Sequence, residues 1–230
     1  MKKVLLTLLA MVLLTVGAFA AGITVNGTAE RMMQPDLAYI ELGVETQGDT
    51  AQSAVAQNAE IMSRVMQHLQ AASIAKEDLA TSAFSLSPQY HYPKGEAPVL
   101  AGYLASNLLR ITLRGEDLGR IGEVIDITTE AGINKVQNIT FTVEKSQELE
   151  LELLAEAVKN GKKKAQIMAQ AADVKLGKLL DLSNSYASIL PFRMNVREDF
   201  AVMKTAASTP IQPGEIKISA QVNLQYDLGN

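Results

Sequence analysis

Apolar and polar residues alternate cleanly in two parts of the chain. Ala38, Ile40, Leu42, Val44 and Thr46 share one face, with Tyr39, Glu41, Gly43 and Glu45 on the other. Near the C-terminus Ile216, Ile218, Ala220, Val222, Leu224, Tyr226 and Leu228 alternate with Lys217, Ser219, Gln221, Asn223, Gln225 and Asp227. A period of two with one wet side predicts strands of an antiparallel sheet with one solvated face. Ile23 to Glu30 predicts an earlier strand, followed by a turn at Met33–Asp36. Phe84, Leu86, Tyr90 and Tyr92 alternate around Pro88, which places that strand at an edge or a bulge. Its partner runs from about Leu100 to Arg114, with Tyr103, Ala105, Asn107, Leu109, Ile111 and Leu113 on one face, so the two predict a long hairpin. Further strands are predicted at Ile139–Val143 and at about Leu179–Ser185.

The period changes to that of a helix in three places. After Asp49, taken as N-cap with Gln52 in the capping-box position, Ala51, Ala54, Val55, Ile61, Met62, Val65, Leu69 and Ala72 form a stripe at helical spacing. Asn58 lies on that stripe and predicts a core amide bonded to nearby backbone. A shorter helix begins at Glu116–Asp117 and ends at Gly132. The longest spans about Ser146 to Ala172, with an inner stripe of Leu151, Leu154, Val158, Gly161, Ala165, Met168 and Ala172. Its first half is acidic and its second half carries Lys159, Lys162, Lys163 and Lys164, which suits the helix dipole and predicts a solvated face.

The order strand, long helix, strand, strand is read from Leu37 to Arg114 and again from Val136 to Leu228. This echo predicts an α+β fold, with antiparallel sheet packed by helices on one face. Residues 1–20 read as a signal peptide: Lys2 and Lys3, an apolar run from Val4 to Val16, then Ala18-Phe19-Ala20 for cleavage. Residues 21–230 read as a single domain, broken only by an irregular segment at 189–210. No later run is long and apolar enough to span a bilayer.

Composition removes most chemistry. The chain has no cysteine and two histidines, so disulfides, thiolate catalysis and Cys-ligated metals are excluded. Net charge is −4, and loss of Lys2 and Lys3 with the leader takes it to −6. Such a chain has no basic surplus for nucleic acid. Phosphate loops, nucleophile elbows and metalloprotease motifs are absent from the sequence. Glu41 and Glu45 are about 13 Å apart along one strand face, too far for a glycosidase pair. The expectation is no enzyme, no metal and no cofactor.

Candidate contact residues remain in two places. Tyr90, His91 and Tyr92 sit at the hairpin tip, and Phe192, Met194, Phe200 and Met203 lie in the irregular segment. The latter holds apolar anchors interspersed with Arg193, Arg197, Glu198, Asp199 and Lys204, a composition suited to a partner surface.

Ile23 to Glu30, Pro35-Asp36, Gly43-Val44, Asn58, the stretch Thr81 through Phe84 to Pro88-Gln89-Tyr90, Tyr103 with Ala105-Ser106-Asn107, and Pro213-Gly214-Glu215 together resemble the bacterial SIMPL-domain family. The resemblance covers essentially all of residues 22–230. It implies an exported, periplasmic or envelope-associated α+β protein without an established enzymatic activity. It also implies ring-like self-assembly and a link to oxidative stress tolerance, and it transfers no catalytic residue. Three functions follow in order: an envelope protein acting by self-association or partner binding; a ligand-binding or stress-protective module using the Tyr90-His91-Tyr92 tip; and a hydrolase with a spatially assembled site.

Overall fold

The computed structural model describes residues 22–195, 211 and 213–229. The chain divides into two compact units, one of Arg31–Leu149 with Ile189–Ile218, the other of Met1–Glu30, Glu150–Ser188 and Ser219–Asn230.

The larger unit holds β2 (Leu37–Gly48), α1 (Ala51–Ala71), β3 (Leu79–His91), β4 (Val99–Arg114), α2 (Ile121–Ala131), β5 (Lys135–Thr142) and β7 (Phe192–Asn195). Its five strands form one antiparallel sheet in the order β3-β4-β2-β5-β7. The predicted alternation of β2 is realised: Ala38, Ile40, Leu42 and Val44 are fully buried. They meet Leu109, Ile111 and Leu113 of β4 and Ile139 and Phe141 of β5 beneath Met62, Val65 and Leu69 of α1 and Ile121 and Val124 of α2. Each large side chain buried here contributes ~1.5–3 kcal/mol relative to exposure.

Local details shift by a residue or two. Thr50, not Asp49, caps α1: its backbone is extended (φ −124°, ψ 153°) and its Oγ1 accepts from Ser53 N at 3.1 Å. A β-branched hydroxyl residue meets this need much as Asp does, and the one-residue shift removes Gln52 from the capping-box position. A 3₁₀ turn over Gly115–Arg120 precedes α2, which ends as expected at Gly132 with φ +117°. The segment predicted to be irregular from residue 189 begins in regular structure: β7 adds to β5 with Phe192 opposite Phe141 and Asn195 opposite Asn138. A four-residue strand is too short for its alternation to stand out in sequence.

The smaller unit is built on β1 (Gly22–Met33), α3 (Ser146–Ala171), β6 (Lys175–Leu190) and β8 (Ile216–Gly229). Its three strands form an antiparallel sheet in the order β1-β8-β6. The buried row of α3 is Leu153, Ala157, Gly161, Ala165 and Ala169. The predicted stripe keeps only Gly161 and Ala165 of this row; Leu151 is 62% exposed and Met168 is also exposed. The reason is close approach. A Cβ on Gly161 would meet Leu224 and lie 3.1 Å from Gly27 Cα, so small residues at every fourth position bring the helix onto the sheet.

The echo seen in sequence is a topological one. In the larger unit the order β2, α1, β3, β4 gives the sheet β3-β4-β2, and in the smaller unit β1, α3, β6, β8 gives β6-β8-β1. The opening strand of the second copy is therefore β1, while β5 pairs with β2. In both units the third element of the motif, β3 or β6, stands at the edge.

Candidate functional site

Strand β3 is a thirteen-residue edge strand, and every position except Leu79 is exposed. Its only ladder among the described residues is with β4. Directly opposed residues share a face of a sheet. Phe84 stands in a row with Asn107 and Val44, and Leu86 in a row with Ala105 and Thr46. Both therefore lie on the side that carries the helices. Val44 and Ala105 are fully covered, whereas Phe84 is 54% and Leu86 40% exposed. The helix layer stops short of the last strand.

Natural edges are usually blunted by charge, proline, bulges or brevity. Irregularities fall between Thr81 and Ala83 and between Gln89 and Tyr90. Between them Ala83, Phe84, Ser85, Leu86 and Ser87 form a regular run with neither a charge nor a proline. Pro88 closes this run, in keeping with the edge position expected for it.

The hairpin then runs past its neighbour. β2 ends at Gly48, opposite Tyr103, while β3 and β4 stay paired to His91 and Val99. Where β2 leaves off, Gly102 has φ +145°, and a Cβ there would lie 2.8 Å from the Gly48 carbonyl oxygen. Tyr90 is paired with Leu100 and His91 with Val99, so Tyr90 and His91 point to opposite faces. The tip is thus an exposed arm carrying Tyr90, Tyr92, Val99 and Leu100, with Tyr92 71% exposed. Tyr90, His91 and Tyr92 are brought near one another without converging on one point.

Beneath the edge runs a polar seam. Asn58 Nδ2 donates to the carbonyl oxygens of Val44 (3.0 Å) and Ala105 (3.3 Å), tying α1 to β2 and β4. This is the core amide expected from its place on the helix stripe. Thr46 Oγ1 donates to the Ala54 carbonyl at 2.8 Å. Asn58 Oδ1 and Asn107 Oδ1 are buried and accept no hydrogen bond among the described residues.

On the opposite face of the same sheet the carboxylates are neutralised locally. Arg110 donates to Glu41 at 2.6 Å and stacks its guanidinium over Tyr39 at 5.6 Å. Asn138 Nδ2 donates to Glu41 at 2.9 Å. The Arg110 hydrogen bond holds the Glu41 carboxyl below its ordinary range against the opposing effect of burial. Glu45 is paired with Lys135 at 2.6 Å. Both carboxylates thus serve ion pairs on a solvated sheet face.

Of the other candidate residues, Phe192 lies with its ring centroid 6.1 Å from that of Phe141 and is partly exposed. Met194 is opposite Ile139 in the β5–β7 ladder, and its side chain is outside the described set. Phe200 and Met203 lie outside the described residues. The structure does not bring Phe192 into the edge formed by β3, since β7 is the other margin of the sheet. Phe84, Leu86, Val99 and Leu100 are legible in the sequence only as strand positions; their exposure depends on strand order, which no local pattern encodes.

Among the described residues no group of three or more His, Asp or Glu side chains is placed to hold a metal, and no helix is long and apolar enough to cross a membrane. Along β3 the backbone groups that face away from β4 have no ladder partner among the described residues, and they lie beside the apolar side chains of Phe84 and Leu86. An exposed sheet edge of this kind can accept an added strand.

The family model of SIMPL, described as a protein of unknown function (DUF541), matches residues 23–226. The 26 kDa periplasmic immunogenic protein of Brucella melitensis is 30% identical over 90% of this chain and 85% of that protein. The protein YggE of Escherichia coli K12, called uncharacterized, is 24% identical over 90% of this chain and 82% of its own length. The chain belongs to the SIMPL family.

Proposed function

We propose that this member of the SIMPL family is an exported envelope protein that acts without catalysis, by pairing with other protein chains and first of all with copies of itself. One observation carries the reading: the edge of β3, unpaired on its outer side among the described residues, with its charge-free run from Ala83 to Ser87 and the exposed side chains of Phe84 and Leu86. An edge of this kind is a template for an added strand. The leader at residues 1–20 and the periplasmic name of the Brucella relative support export. The part in oxidative stress tolerance implied by the family resemblance would be exercised through such an assembly.

The test is the native mass of the mature chain, from Ala21 onward, at tens of micromolar, a concentration that populates a complex of ~µM affinity. Light scattering should give more than one chain for the wild type. Phe84→Lys combined with Leu86→Lys should return it to the mass of one chain. Both positions are exposed, so the double variant should keep its far-UV circular dichroism and lose little stability, on the order of 0.5 kcal/mol per site. A wild type that scatters as a single chain at that concentration overturns the proposal.

A further inference from the structure

We infer that the strand which adds to the β3 edge is β6 of a second copy of this chain, so that copies join head to tail. The inference rests on the self-association proposed above and names its partner surface. β3 and β6 are equivalent third elements of the two echoed motifs, and each ends its sheet among the described residues. β6 is also long, at sixteen residues, and Lys178 to Ser183 are all exposed. Leu180 and Leu182 are 49% and 50% exposed, and Leu179 is exposed on the other face.

The two edges match in chemistry. Phe84 and Leu86 are two apart on one face of β3, with Ser85 and Ser87 on the other. Leu180 and Leu182 are two apart on one face of β6, with Asp181 and Ser183 on the other. Laid side by side, the apolar pairs form one continuous row and the polar residues a second, the arrangement in which cross-strand neighbours stabilise a ladder. Neither run contains a proline, and their only charge is Asp181, which falls on the polar row. A contact of β3 with a second β3 would leave β6 open in every copy. Pairing β3 with β6 covers both edges with one kind of contact. Such a contact is heterologous: it propagates from copy to copy and terminates only by closing on itself.

Two blocked variants of the mature chain separate the possibilities. One carries Phe84→Lys and Leu86→Lys on β3; the other carries Leu180→Lys and Leu182→Lys on β6. Each alone should fall to the mass of one chain. Mixed in equal amounts they should form a one-to-one heterodimer and nothing larger, because the mixture retains one intact β6 edge and one intact β3 edge. A β6-blocked variant that keeps the wild-type mass overturns the partner assignment while leaving self-association standing. A mixture that stays at one chain overturns it too. A wild type already at one chain sinks the underlying proposal instead.

A second measurement guards against variants that fail to fold. The chain has no cysteine, so Ser85→Cys in one copy and Ser183→Cys in another give clean single thiols. A short bis-maleimide should link Ser85→Cys to Ser183→Cys copies several-fold faster than it links either to itself. Preferred linkage of Ser85→Cys to its own kind would place β3 against β3 and contradict the inference.

Discussion

Gly27→Ala should be among the most damaging single substitutions in the chain, costing about 3 kcal/mol or more, because overpacking against a rigid neighbour typically costs ~1–3 kcal/mol and a backbone clash falls at or above the upper end. Gly27 in β1 faces the backbone of α3. An added Cβ would run into the Ala157 carbonyl oxygen and lie 2.9 Å from Gly161 N. Neither atom belongs to a flexible side chain, so relief requires the helix to lift from the sheet. That movement would also loosen Leu224, which packs over Gly161 and is fully buried. Against a total stability on the order of 5–15 kcal/mol, this is a large fraction. Urea unfolding should show a lower midpoint, or an early separate transition if the smaller unit unfolds alone. Gly119→Ala is the control: a Cβ there meets nothing within 4 Å. It should stay within ~0.5 kcal/mol of wild type. Equal stability of the Gly27→Ala chain would contradict the close approach.

Asn58→Asp should cost ~3–5 kcal/mol at neutral pH, the range expected when a buried polar arrangement is broken and a charge left behind. The amide nitrogen of Asn58 serves two backbone carbonyls at once, Val44 and Ala105. A carboxylate at the same place removes both donors and sets a negative charge against two carbonyl oxygens in a site where Asn58 is 1% exposed. The same burial would raise the folded-state pKa of the carboxyl introduced by Asn58→Asp above its unfolded value. A group with a raised folded pKa loses its stabilising contribution as pH rises through that pKa. The deficit should therefore shrink on acidification, where the protonated acid can again donate to one carbonyl. Asn58→Ala, with no charge, should lose ~1–3 kcal/mol and show no such recovery. Thermal or urea unfolding of both variants at neutral and mildly acidic pH checks the sign. An Asn58→Asp chain as stable as wild type at neutral pH would mean that the amide does not tie α1 to the sheet.

Strong local periodicity is legible in the sequence. β2 and β8 alternate, and their inward sets are buried except for the half-buried Leu228, while Gly43, read as outward, is also buried. Gly132 is legible as a left-handed terminator because few other residues accept that backbone. What local pattern does not carry is pairing between distant segments. Nothing in Ile23–Glu30 or in Ile139–Val143 says which of them opens the second motif; β1 does, through its pairing with β8 at the far end of the chain. The α3 stripe misleads for a different reason. A helix that approaches a sheet through Ala157, Gly161, Ala165 and Ala169 buries little apolar side chain, so larger residues such as Leu151 and Met168 dominate the hydrophobic pattern while facing water.

The candidate site shows the same division. Tyr90, His91 and Tyr92 stand out in sequence as an aromatic-rich tip, and the structure places them on an exposed arm. Phe84 and Leu86 alternate as any buried strand face does. They become a candidate surface only because β3 is last in its sheet and the helices stop one strand earlier. The identical alternation on an inner strand would have meant core.

Hydrogen exchange along β3 reports whether a second chain covers that edge. Half of the amides between Ala83 and Gln89 point away from β4 in an antiparallel edge and exchange rapidly if that side meets only water. Wild-type mature chain measured from sub-micromolar to tens of micromolar should show these amides becoming protected as concentration rises, with Leu109 and Ile111 of β4 protected throughout. Fast, concentration-independent exchange from Ala83 to Gln89 across that range would mean that the β3 edge meets only water and is not an assembly surface.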